Sequence, residues 1–119
     1  MNSCLAHAGV ALALFVIAPA GALAGTVIDG SGGKSCGAWI EDEKADRNSA
    51  IHSMDVGWVI GFLSGANLGT NVETLKNRDV DSFKVRIDNY CSLHPLDSIG
   101  EATIRLSVEL IDQARGSPK

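Results

Sequence analysis

Few residues in this 119-residue chain are able to do chemistry, and their spacing points away from catalysis. His52 and Asp55 stand three apart, which on a helix would put two metal ligands on one turn. A catalytic zinc needs three protein ligands and an open position, and the sequence places no third ligand beside these two. An exposed histidine near a helix start is the expected reading. His94 precedes Pro95 at a helix end, where a positive charge interacts favourably with the helix dipole. Glu41, Asp42 and Glu43 are consecutive, so on a helix they fan outward as a solvated face. The serines form no Gly-x-Ser-x-Gly elbow, and no glycine loop for phosphates or dinucleotides is present. No enzymatic activity, catalytic residue, metal or cofactor is expected.

Cysteine chemistry is the exception, and it depends on compartment. Ala8 to Ala18 is an unbroken apolar run, followed by Pro19 and the small-residue sequence Ala22-Leu23-Ala24. That is the pattern of a signal peptide, residues 1–24. The run is shorter than the roughly 20 apolar residues a bilayer span requires, so no membrane span is expected after cleavage. All 10 Lys and Arg and all 14 Asp and Glu lie after it. The segment before the run lacks Lys and Arg, a departure from the pattern. Cys4 is expected to leave with the peptide. A periplasmic or secreted bacterial protein with two remaining cysteines, Cys36 and Cys91, points to a disulfide. If they pair within the chain, only one connectivity exists. Two unpaired buried thiols are the alternative. A redox-active pair is disfavoured because there is no Cys-x-x-Cys.

The formal net charge is −4 and no run of Lys or Arg occurs. Binding to phosphate backbones needs a basic footprint, so nucleic acid and anionic lipid surfaces are not expected partners. A protein partner or a homodimer is.

The elements that must position the cysteines are helices. Residues 25–34 hold four glycines in ten positions and read as a flexible leader. Ser35 reads as the cap of a first helix, SCGAWIEDEK, with Cys36, Trp39 and Ile40 on one face. A second helix begins between Ser49 and Ser53 and is expected to stop at Asn67 and Gly69. A polar loop follows, Gly69 to Asp79. A third helix starts at Asp79 or Asp81, with Val80, Phe83, Ile87, Tyr90 and Cys91 on its buried face. Ser98 and Glu101 announce a fourth as a capping box. There Ile99, Ala102, Leu106 and Leu110 form one apolar stripe. Ile104, Val108 and Ile111 form a second, a candidate partner contact. Trp39 and Trp58 are either core residues or interface anchors. The expected fold is all-α, a small bundle of four helices with one disulfide in a single domain, residues 35–119.

The second helix carries glycine at every fourth position: Gly57, Gly61, Gly65 and Gly69. From Val56 to Leu68 it has no charge, so it reads as a central helix, apolar nearly all round. Gly57, Gly61 and Gly65 are then expected to form a packing groove against a neighbouring helix. On that reading Gly61→Leu destabilises strongly.

The combination of SCGAWIEDEK, GWVIGFLSGAN and IDNYCSLHP with a last helix resembles the HdeA/HdeB-like acid-stress chaperones. It is equally similar to the Rap/Tai-type immunity proteins of interbacterial toxin systems. The matching residues are Cys36, Cys91, Gly61, Phe62 and Pro95. The first resemblance implies a periplasmic dimer that opens in acid and binds unfolding clients. Against it, the chain ends lack the lysine-rich character of that group, with only Lys119 at the terminus. The second implies an inhibitor of a cell-wall-degrading toxin, with Gly69 to Asp79 as a contact loop. An exported helical protein of another role is the third reading.

Overall fold

The computed structural model describes residues 28–116. The expected signal peptide (residues 1–24, with Cys4), residues 25–27 and Lys119 lie outside them. Four helices form, α1 Cys36–Asp46, α2 Ala50–Thr70, α3 Val80–Leu93 and α4 Ile99–Ala114, preceded by a single 3-10 turn at Gly30–Gly33. Among the described residues there is no strand, and none of the helices is long and apolar enough to cross a membrane.

Each α-helix starts where a short polar side chain can accept from an otherwise unpaired backbone N–H. Ser35 Oγ accepts from Ala38 N, Ser49 Oγ from His52 N, Asp79 Oδ1 from Ser82 N and Ser98 Oγ from Glu101 N. The stops are equally local. Asn71 ends α2 in the left-handed region at φ 52°, a conformation asparagine tolerates. Gly116 follows α4 at φ 72°. The second helix therefore runs past the expected stop at Asn67 and Gly69. Asn67 organises the next loop instead. Its Oδ1 accepts from Thr74 N and Thr74 Oγ1, and its Nδ2 donates to Glu73. The polar loop after α2 is thus tied down at its middle.

The core is one cluster drawn from all four helices: Cys36 and Trp39, Val59 and Leu63, Phe83, Ile87 and Cys91, then Ile99, Ala102, Leu106 and Leu110. Cys36 and Cys91 form the disulfide, with Cα atoms 4.6 Å apart and neither residue exposed. Beside it the N-terminus of α1 is stitched to the α3–α4 turn. Cys36 N donates to Asp97 O and Gly37 N to Pro95 O, while Ile99 N donates to Lys34 O. Val80, expected on the buried face of α3, is 47% exposed because it occupies the first helical turn, before α3 reaches the core.

Two expectations about glycine are overturned. Residues 28–34 are not a free leader: the 3-10 turn packs on α2 and α4, and Gly32 is buried. A Cβ on Gly32 would overlap the Trp58 ring and Ile28, and one on Gly100 would lie 2.9 Å from Gly32 O. Glycine here is needed for close approach. The row Gly57, Gly61, Gly65, Gly69 is the opposite case. All four are exposed, and a Cβ on any of them would meet nothing within 4 Å. The groove faces solvent, because α2 buries the stripe His52, Asp55, Val59, Leu63 on its other side.

Candidate functional site: charges between helices and an uncharged face

The side chains with chemistry gather where α1, α2 and α3 meet. Trp39 and Glu43 are one turn apart on α1 and face Lys84 and Asp88, one turn apart on α3. Trp39 Nε1 donates to Asp88 Oδ1 at 2.6 Å, and Lys84 Nζ lies 2.6 Å from Glu43 Oε2 and 3.6 Å from Asp88 Oδ2. From the end of α1, Arg47 Nη2 donates to Glu43 Oε1 at 2.8 Å. From α2, His52 brings Nε2 to 2.8 Å from Glu43 Oε2, with its ring tilted against Trp39. The imidazole is 1% exposed, and neither ring nitrogen has hydrogen-bond geometry with any described residue.

Both expectations here are corrected. His52 is not an exposed helix-start residue: as the third residue after the Ser49 cap it points inward between α1 and α3. Glu41, Asp42 and Glu43 do not form a solvated face, since two of the three point at other elements. Burial pushes the Glu43 carboxyl up, but the Lys84 ammonium, with Arg47 and His52, outweighs it and holds the group below its ordinary value of 4.5. Surrounded by cations, this carboxylate is a poor base.

A second set of charges ties the leader to the bundle. Lys34 Nζ sits 2.5 Å from Asp42 Oδ2 on α1 and 2.5 Å from Asp55 Oδ2 on α2. Burial pushes the Lys34 ammonium down, and Asp42 and Asp55 together raise it above its usual 10.5. Asp55 is thus committed to Lys34, so it does not join His52 as a ligand pair. Among the described residues no three His, Cys, Asp or Glu side chains converge as a metal site. Arg86 of α3 meets Glu109 of α4 at 2.5 Å, and Tyr90 Oη donates to Asp97 Oδ2 at 2.5 Å. The Asp97 contact is the first reason the Tyr90 phenol is raised above 10.0; burial adds to it. A cleft of about 270 Å³ opens beside His52, lined by Arg47, Ser53, Val56, Val80, Asp81 and Lys84, among others.

The chemistry available is therefore electrostatic cross-linking of helices. Replacing Trp39 by Phe tests one tie: it keeps a ring but deletes the donor to a carboxylate. The expected cost is about 1.5 kcal/mol, the lower end for a hydrogen bond to a charged group. A urea midpoint equal to that of the parent would show the bond to be idle.

The candidate partner residues divide. Trp39 is 1% exposed and belongs to the core, because the Cys36 side of α1 faces inward; it is not free for a partner. Trp58 is half-buried, stacks on Phe62 with centroids 5.5 Å apart, and covers the 3-10 turn. Ile104 and Val108 stand on the outer face of α4 at 38% and 52% exposure, and Ile111 is half-buried. Lys34, Asp55, Lys84 and Asp88 had no signal as ties in the sequence. Only the one-turn spacing within Trp39/Glu43 and Lys84/Asp88 could have suggested two matching faces. Comparison with protein-family models, curated proteins and solved structures matches nothing.

Proposed function

We propose that the chain is an exported, non-enzymatic helical protein of the acid-stress chaperone type, which loosens in acid and binds other proteins through newly opened apolar surface. One observation carries this reading. The charged ties that join separate elements each have a carboxylate at one end: Glu43 with Lys84, Asp42 and Asp55 with Lys34, Glu109 with Arg86. Acid removes that end of every tie and leaves the cations. The Cys36–Cys91 bond does not titrate and keeps α1 joined to α3.

The sign follows from Glu43. Its folded pKa is below its unfolded one, so its contribution is present above about pH 4.5 and is lost as pH falls through the folded value. Stability is expected to drop as pH falls below about 4.5. Glu43→Gln should lower the melting temperature at neutral pH and flatten the fall in acid. An unchanged pH profile in that variant would remove Glu43 from the mechanism. The function itself is tested at about pH 2–3 with an aggregating, unrelated protein as client. The oxidised chain is expected to keep it in solution, and no suppression of light scattering would sink the chaperone reading.

A further inference from the structure

Among the described residues, the buried side-chain atoms without a hydrogen-bond partner all sit at one place: Glu43 Oε2 and both ring nitrogens of His52. Native interiors hold few such atoms, and each calls for a partner. Glu43 Oε2 has Lys84 Nζ at 2.6 Å and is answered electrostatically. His52 is not. Its Nε2 only approaches that same oxygen, and its Nδ1 has nothing. The imidazole is 1% exposed, and His52 lines the cleft of about 270 Å³ that opens where α1 ends and α2 and α3 begin. Pockets for drug-sized ligands run to about 300–1,000 Å³, so an occupant of this cleft is small.

The walls select the charge of that occupant. His52 and Ser53 come from the first turn of α2, Val80 and Asp81 from the first turn of α3. A helix N-terminus carries unpaired N–H groups and the positive end of the dipole, so a cleft between two of them favours an anion. Arg47 and Lys84 add cations with donors to spare. Arg47 gives Nη2 to Glu43, its side chain is 70% exposed, and a guanidinium has further N–H groups to offer. Lys84 is shared between Glu43 and Asp88, and its ammonium retains a further N–H. Asp81 is the one acidic side chain among the lining residues and works against an anion. With Glu43 and Asp81 close by, the two cations suit a single negative charge better than the double charge of a phosphate. Val56 and Val80 make the rest of the wall apolar. We propose that this cleft binds a small carboxylate with a short branched apolar tail. Arg47, Lys84 and Asn48 hold the carboxylate, Val56 and Val80 take the tail, and the ligand gives the buried His52 ring the polar partner it lacks. The site belongs to the closed fold at neutral pH. It therefore stands apart from the chaperone reading and survives that reading's failure.

The probe is isovalerate, titrated into the oxidised chain at neutral pH and followed by nitrogen NMR of the backbone and of the imidazoles. Saturable shifts are expected at His52 and Ser53, at Val80 and Asp81, and at the His52 ring itself. Isovaleramide, which has the same shape without the charge, should give none. Arg47→Gln changes an exposed side chain, and circular dichroism should confirm that the fold is kept. It should weaken binding about tenfold, the low end for a hydrogen bond to a charged group. Asp81→Asn should tighten binding, because it removes the acid that opposes the ligand. Shifts that never saturate overturn the proposal, as do equal shifts with the amide or a His52 ring that does not respond. Unchanged binding in Arg47→Gln or weaker binding in Asp81→Asn overturns the anion assignment. Tighter binding of inorganic phosphate overturns the choice of a carboxylate.

Discussion

Cys36→Ala combined with Cys91→Ala is expected to lower stability by about 4 kcal/mol, a larger loss than any single tie between helices supplies. The bond closes a segment with a sequence separation of 55, and the loop-closure entropy it removes from the unfolded chain sets that figure. A small domain has about 5–15 kcal/mol in total, so the loss is a large share of what keeps the chain folded. The native geometry adds a second reason. Both sulfurs are fully buried, where α1 has its N-terminal N–H groups bonded to Asp97 and Pro95 carbonyls. With the bond gone, α1 keeps those hydrogen bonds to the α3–α4 turn and, one and two turns further along, the Trp39–Asp88 and Glu43–Lys84 ties to α3. The double alanine variant avoids the separate penalty of a lone buried hydroxyl or thiol. Urea midpoints of the oxidised parent, the reduced parent and the double variant should place the last two together, well below the first. Equal midpoints for all three would mean that the unfolded chain gains nothing from being opened.

The same bond shows why parts of this fold were legible. Helix starts were readable because a cap is a local device: Ser35, Asp79 and Ser98 each act on an N–H three residues on. The inner stripe of α4 was readable because Ile99, Ala102, Leu106 and Leu110 recur at helical spacing beside a charged flank, and all four are buried. In α2 the phase was not readable. With no charge between Val56 and Leu68, every face looks equally fit for burial. The decision falls to His52 and Asp55, polar residues that point inward because Glu43 and Lys34 wait there. Pairing across helices is set by three-dimensional register, which local periodicity does not encode. That is why Asp42 and Glu43 read as solvated and Trp39 as a candidate anchor. The exposed apolar set was legible only where apolar residues form an unburied second stripe, as Ile104 and Val108 do.

Alanine at Gly32 and alanine at Gly61 are expected to change stability in opposite directions, which is the sharpest test of how the chain uses glycine. At Gly32 the added methyl overlaps Trp58 and Ile28, both already packed between the 3-10 turn, α2 and α4. Forcing extra volume into such a site costs about 1–3 kcal/mol. Gly100→Ala meets the carbonyl of Gly32 at 2.9 Å. That is a backbone atom with little freedom to retreat, but α4 gains helix propensity from the alanine, so its net loss should be smaller. At Gly61 the methyl meets nothing, and alanine is preferred over glycine in a helix interior by about 1 kcal/mol. Gly61→Ala should therefore raise the urea midpoint. The expectation from the glycine pattern alone, that bulk at Gly61 unfolds the protein, is reversed by the exposure of that face. If Gly61→Ala lowers the midpoint, α2 has a close neighbour at Gly61. If Gly32→Ala leaves it unchanged, the turn at Gly30–Gly33 lifts off the bundle at little cost. Three exposed helical glycines each forgo about 1 kcal/mol that alanine would supply. The same gain is expected at Gly57 and Gly65, because neither has a neighbour that an added methyl would displace.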